Sequence, residues 1–339
     1  QYGHLPEHVR PGERILMDDG LLEVQVLEAG PTDVRARVVV GGVLKSNKGL
    51  NLPNASLSIP AITDKDRDDL RLALRLRVDW VALSFVRTAD EVYELKELVR
   101  EFAPDQPPTP VISKIEKPEA YRNIDSLIEA SDAVMVARGD LGIETSPEQV
   151  PVIQKEIIAK CNVAGKPVIT ATQMLESMIA SPRPTRAEAS DVANAVLDGS
   201  DAVMLSGETA AGEYPLDAVR TMSRIVEYAE AEAAAVGPQE RRAAIRCCSI
   251  AEAVSHAATE TARDLGAAAV ITPTVSGYTA RMVARYRPSA PIVAVSPDPT
   301  AQRTGWVEPG QRVVITGGTA GSPPGTTNMM TVRVVARRS

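Results

Sequence analysis

The sequence contains no run of 18 or more apolar residues, so no segment reads as a helix able to span a bilayer. Its first residues, Gln1 to Arg10, lack both the apolar core of a signal peptide and an initiator methionine, and the chain is expected to begin inside a longer protein. Cysteine is scarce. Cys161, Cys247 and Cys248 include one adjacent pair and no C-x-x-C, which argues against a disulfide framework or a thiolate zinc site and fits a reducing, cytoplasmic setting. Histidine occurs only as His4, His8 and His256, so a metal held by the long central segment must be bound through oxygen. No G-x-x-x-x-G-K-[ST] loop is present, and the glycines from Gly317 to Gly325 do not form a clean G-x-G-x-x-G between a strand and a helix. Basic charge is not in excess: 37 Lys and Arg against 44 Asp and Glu give a net charge of −7, which speaks against nucleic acid and for a small-molecule partner.

What is present is an ordinary globular composition, 44% hydrophobic and 24% charged. From Arg14 to Leu44, alternation of Leu22, Val24 and Val26, then of Val34, Ala36, Val38 and Val40, predicts a small antiparallel β unit with a turn at Asp19-Gly20. It is too short to bury a sizeable core alone. From Pro60 to about Gly212 the pattern becomes short apolar strands alternating with helix-length segments, the sign of βα units on a parallel sheet. The predicted strands are Trp80–Val86, Val111–Ile115, Ala133–Val136, Val168–Ala171 and Ala202–Leu205. Capping-box spacing marks helix starts at Thr63 to Asp66, Thr88 to Glu91 and Thr185 to Glu188, and Gly165 is placed to end a helix containing Ile153, Ile157 and Cys161.

Each strand runs into polar residues: Lys114 and Glu116 after the second, Arg138, Gly139 and Asp140 after the third, Thr172 and Gln173 after the fourth, Ser206, Gly207 and Glu208 after the fifth. Polar residues at the C-terminal ends of successive parallel strands are where (β/α) barrels build sites. A single lysine there is more often solvated or ion-paired, and a single carboxylate as often a cap. Repetition at successive strand ends favours a site. Glu116 and Asp140 form an oxygen-only candidate pair, which selects a hard cation, Mg²⁺ or Mn²⁺, with room for ligand oxygens. A Lys114 ammonium beside it suits charge developing on a phosphoryl group or an enolate. The backbone N–H groups of Gly139 and Asp140, read as preceding a helical turn, are placed for a carboxylate or phosphate, and Thr172 adds a hydroxyl.

Five longer stretches carry a specific likeness: Ile112-Ser113-Lys114-Ile115-Glu116, Met135 to Gly142, Ala171 to Met178, Pro182 to Glu188, and Met204 to Ala210. In this order they resemble the motifs of pyruvate kinase. Asp18-Asp19-Gly20 and Lys48 to Pro53 look like the end of that family's lid domain, and Tyr286-Arg287-Pro288 like part of its C-terminal domain. The resemblance implies phosphoryl transfer from phosphoenolpyruvate to ADP, giving pyruvate and ATP. It implies that Lys114 stabilises the transferring group and the enolate, and that Glu116 and Asp140 bind Mg²⁺ or Mn²⁺. Gly139, Asp140 and Thr172 would contact phosphoenolpyruvate, with Thr172 near the face where the enolate is protonated. It further implies a requirement for K⁺ and a homotetramer.

The fold class expected is α/β: a partial β lid over residues 1–52, the second half of a (β/α)8 barrel over 53–224, and a C-terminal α/β effector and assembly domain over 225–339. Five barrel strands are read where eight close a barrel. The family's R-x-N-[FM]-S-H and D-x-x-G-P-x-[IL]-R motifs, which supply monovalent-cation ligands and a phosphate-binding arginine, do not occur, and a helix and strand are wanting near Gln302 to Trp306. The chain thus reads as a fragment. In the C-terminal part a helix from Ile250 to Leu265 and strands Ala268–Thr272, Ile292–Ser296, Arg312–Thr316 and Thr331–Val335 are predicted. Thr274, Ser276 and Thr279 match the family's loop for a phosphorylated effector, although Ser276 serves equally as a plain N-cap. Val275 stands where a lysine is common in members answering to fructose 1,6-bisphosphate, so AMP or a hexose monophosphate is the expected effector. Two other classes stay open: a catalytically inactive remnant, and a metal-dependent lyase or aldolase acting on pyruvate enolate without ADP.

Overall fold

A computed structural model describes residues 5–18, 20–44, 49–53, 60–236, 249–295, 312–317, 327 and 329–334. His4, Asp19, Lys48, Cys247, Cys248, Ser296, Gln302 to Trp306, Val335 and most of the glycine-rich segment up to Gly325 lie outside them. The chain divides into two compact units, Gln1–Glu230 and Ala231–Ser339.

The first unit opens on α1 (Leu5–His8) and the strands β1 (Arg14–Met17), β2 (Leu22–Ala29) and β3 (Val34–Val40). Met17 pairs with Leu22 across the first turn; of the expected alternation Leu22 and Val26 are buried, Val26 packing with Ile15, Val9 and Leu52, whereas Val38 and Val40 of β3, the outer strand of this sheet, are exposed. The two-residue β4 (Leu50–Asn51), too short to carry a periodic signal, completes the order β3-β2-β1-β4 by pairing with β1.

A parallel sheet of five strands follows, in the order β5 (Val81–Leu83), β6 (Val111–Ile115), β7 (Ala133–Ala137), β8 (Val168–Ala171) and β9 (Ala202–Met204). All the predicted strands are present; the outer two are shorter than read, because Ser84 to Val86 and Leu205 turn away into loops. The order is sequential, as in a succession of βα units winding in one direction, and β5 and β9 lie at opposite edges, so the barrel is not closed. Helices α2 (Asp64–Arg75), α3 (Ala89–Phe102), α4 (Pro118–Arg122), α5 (Ile124–Ala130), α6 (Arg138–Glu144), α7 (Val150–Ala164), α8 (Arg186–Asp198), α9 (Gly207–Ala210) and α10 (Pro215–Val236) alternate with them. Val111, Ile115, Val134, Val136 and Val168 project onto Leu95, Leu127, Ile153 and Ile157, each fully buried Leu or Ile contributing about 1.5–3 kcal/mol. A helix contributes to this layer only through one face, and Val92, Leu95 and Val99 of α3 supply it.

The local signals act where the sequence places them. Thr63 and Thr185 accept hydrogen bonds from Asp66 N and Glu188 N at 3.2 Å, and Gly165, at φ 65°, ends α7 in the left-handed conformation that favours glycine. Glu188 does more than cap. Its carboxylate accepts from Ser177 N, Ser177 Oγ, Thr185 N and Thr185 Oγ1 at 2.6–2.9 Å, tying α8 to the segment after β8. Burial pushes this carboxyl up, but the bonds from Ser177 and Thr185 outweigh it and hold it below the usual range. A depressed carboxyl stabilises the fold above its ordinary value and loses that contribution as pH falls. Glu188→Gln is therefore expected to cost about 1–3 kcal/mol at neutral pH, with the deficit shrinking as pH falls below the ordinary value of 4.5. Melting curves at the two ends of that range check it; a deficit independent of pH would refute the charge-assisted role.

The second unit contains α11 (Ile250–Asp264), β10 (Ala269–Pro273), α12 (Tyr278–Ala284), β11 (Ile292–Val295), β12 (Arg312–Gly317) and β13 (Met329–Val334). Its sheet runs β11-β10-β12-β13, with β13 antiparallel to β12 and the others parallel. Ala258, Ala262, Val270, Val283 and Val314 form its core. No helix among the described residues of either unit is long and apolar enough to cross a membrane.

Candidate functional site

Lys114 owes its direction to the pleat. In β6 the side chains of Val111, Ser113 and Ile115 are buried, and the alternate residues Ile112 and Lys114 are only partly covered on the opposite face. The ammonium donates to Ser84 Oγ at 2.8 Å and lies 2.6 Å from Glu116 Oε1. Glu116 follows the strand end and is buried, its side chain 1% exposed. Its Oε2 accepts from Phe85 N at 2.6 Å, on a loop where Phe85 takes φ 54°. Oε1 has the Lys114 charge for company but no hydrogen bond of acceptable direction.

Burial raises the Glu116 carboxyl above its usual range; Lys114 pulls against this, and the charge of Asp140 adds to it. Asp140 sits in the first turn of α6, which starts at Arg138, so Gly139 and Asp140 lie within the helix rather than before it. Gly139 N donates to Thr172 Oγ1 at 2.7 Å, and Thr172 Oγ1 also contacts Ala171 O at 2.6 Å. The strand ends thus bring Lys114, Glu116, Gly139, Asp140 and Thr172 into one neighbourhood, at the ends of β6, β7 and β8.

Among the described residues no group of three or more His, Cys, Asp and Glu could hold a metal ion. The donor set is nevertheless suited to a hard cation: two carboxylates from adjacent strand ends, one with a buried oxygen lacking a hydrogen bond.

Several residues without a role in the sequence reading take part. Ser84 braces the lysine. Arg138, seen there only as a polar residue after a strand, gathers the carbonyls of Thr172 and Gln173. Glu144, 3% exposed in its side chain, binds Lys117 at 2.6 Å and Asn51 of β4 at 3.2 Å, so α6 meets the β unit. Buried Glu208 accepts from Leu175 N at 3.1 Å and Ser206 N at 2.7 Å, joining the ends of β8 and β9. Polar character at a strand end was the available signal for Arg138 and Glu208; nothing local distinguishes Glu144.

In the second unit, α12 has Gly277 at its N-cap with φ 74°, and Ser276 Oγ accepts from Tyr278 N at 3.4 Å. Thr279 is buried and shares a 2.8 Å hydrogen bond with Thr327, while Ser276 and Val275 are exposed and Thr274 half-buried.

Comparison with known proteins gives the family of the chain. Residues 1–219 match the family described as pyruvate kinase, barrel domain, and residues 252–304 match pyruvate kinase, alpha/beta domain. A pyruvate kinase of Geobacillus stearothermophilus is 45% identical over 369 residues, covering 99% of this chain and 62% of the relative. Pyruvate kinase 2 of Synechocystis is 51% identical over 298 residues, 87% of this chain and 49% of the relative. A pyruvate kinase of Clostridium acetobutylicum is 42% identical over 366 residues, 98% of this chain and 77% of the relative. The chain thus spans about half to three quarters of the length of the relatives it matches. Matched across both units, and over nearly two thirds of its residues by the barrel family alone, the chain belongs to the pyruvate kinase family.

Proposed function

We propose that this chain carries the phosphoryl-transfer centre of a pyruvate kinase, moving the phosphoryl group of phosphoenolpyruvate to ADP to give pyruvate and ATP. The observation that carries the reading is the Lys114 ammonium 2.6 Å from buried Glu116, beside Asp140, at the C-terminal ends of parallel strands. Glu116 and Asp140 would hold Mg²⁺ or Mn²⁺, which when bound offsets negative charge on phosphate and enolate oxygens. Lys114 supplies a fixed positive charge where the transferring group and the enolate become most negative. Its bond to Ser84 holds that charge in place before substrate arrives. Thr172 Oγ1, on the Gly139 side of the site, is the group for the carbon face at which the enolate takes its proton.

On the same reading the protein uses K⁺, assembles as a homotetramer and works in the cytoplasm. The hydroxyls of Thr274 and Ser276, with Thr279 behind them, belong to a loop for a monophosphate effector such as AMP or a hexose phosphate. The test is an assay of a chain that also supplies the remaining barrel strands, with Mg²⁺ and K⁺, in the presence and absence of ADP. Pyruvate formed only with ADP, and matched by ATP, is expected. Pyruvate or an aldol product formed without ADP would give the site to the lyase and aldolase class instead, and binding without turnover would favour a remnant.

A further inference from the structure

Thr172 and Gln173 stand side by side at φ 69° and 52°. The left-handed region is uncommon for any residue but glycine and is a true outlier for a β-branched one, so it persists only where the surroundings over-determine it. Here both carbonyls of the pair are held by one side chain. The Arg138 guanidinium, 10% exposed, donates from Nη2 to Thr172 O at 2.7 Å and Gln173 O at 3.3 Å, and from Nε to Thr172 O at 3.2 Å. Its Nη1 donates to Asp191 on α8 at 2.8 Å and Gln154 on α7 at 3.3 Å. The carbonyls that the left-handed backbone turns aside therefore meet at one planar fork, itself anchored to two helices.

We propose that Arg138 is a positioning residue, which holds Thr172 in its left-handed conformation and so sets the place of its hydroxyl. Arg138 and Gly139 are adjacent in α6, and they grip Thr172 from two sides: the guanidinium takes the carbonyl and the Gly139 amide takes Oγ1. The next residue is Asp140. The end of β8 and the carboxylate end of α6 are thereby kept in register through a single dipeptide. A lysine cannot replace this arrangement, because a point charge lacks the rigid multiple donors that serve two carbonyls and a carboxylate at once.

The proposal rests on the kinase reading only for its catalytic consequence, and two readouts separate the two. The first is crystallographic: in Arg138→Gln, Thr172 is expected to relax to negative φ and the Gly139 N to Thr172 Oγ1 bond to be lost. The second is kinetic, in the same complete-barrel context. Arg138→Gln is expected to lower kcat about 10- to 100-fold, the scale of a misplacement near an ångström, with the KM for ADP little changed. Arg138→Lys is expected to recover little of it. Thr172→Ala in the Arg138→Gln background is expected to cost far less than in the parent, since residues acting through one another are not additive. If Arg138→Gln does not fold, Asp191→Ala is the second variant; it removes the acceptor on α8 that braces the guanidinium and is expected to give a smaller loss of the same kind. Thr172 retaining positive φ without Arg138, or losses that multiply independently, would overturn the proposal. A parent protein without turnover of phosphoenolpyruvate would overturn the kinase reading, while the crystallographic result would still decide the role of Arg138.

Discussion

Lys114→Met, in a chain with all barrel strands, is expected to lose phosphoryl transfer by about a thousandfold or more in turnover, as when other preorganised charge stabilisers are removed. Methionine keeps much of the length of the side chain and removes its charge together with the hydrogen bond to Ser84. Phosphoenolpyruvate and Mn²⁺ binding are expected to survive, because Gly139, Asp140 and Thr172 keep their places on α6 and β8. The substitution also leaves Glu116, 1% exposed, without its cation. Stranding a buried carboxylate is costly, so the apo variant should melt earlier and recover part of the difference when Mn²⁺ is added. Titration calorimetry and turnover measured on the same preparation decide the matter. Turnover near that of the parent would remove Lys114 from the chemistry.

The second large effect concerns the sheet. Residues 1–339 expressed alone are expected not to turn over phosphoenolpyruvate at a rate typical of a kinase, and to self-associate. The edges of the five-stranded sheet are β5 and β9, and apolar groups line the flank of each. Leu72, Leu76 and Trp80 lie on the β5 side. On the other side a groove is lined by Val203, Met204, Leu205, Val219 and Met222. Unpaired edges beside apolar surface are templates for association, and a closed barrel has neither. On the proposed reading the substrate phosphate would also lack the arginine of the family motif that does not occur in this sequence, and misplacement near an ångström costs about a hundredfold. A version supplying the family's N-terminal barrel strands is expected to recover solubility and activity together. Light scattering and pyruvate formation measure both; a soluble, monodisperse chain of 339 residues with kinase-like turnover would defeat the reading.

The sequence by itself determined the elements and the chemistry that could be written in a short window. Helix starts at Thr63 and Thr185, the end of α7 at Gly165, the three inner strands of the sheet and the ordered succession of polar strand ends depend on neighbours within a few positions. Residue spacing encodes them directly. Tertiary structure decided what depends on distant partners. The outer strands end early because their last residues serve loops, with Phe85 N turned onto Glu116 across 31 positions. The pair β1 and β4 exists only because Leu50 and Asn51 meet a strand more than thirty residues earlier. Glu144 became a link to Asn51 over 93 positions. The left-handed backbone at Thr172 is the clearest case: local preference opposes it, and the guanidinium that stabilises it arrives from 34 positions away, braced by Asp191 a further stretch along the chain. Local propensity is a sum over near neighbours, whereas strain is relieved by whichever group the fold delivers, and no window of sequence contains that group.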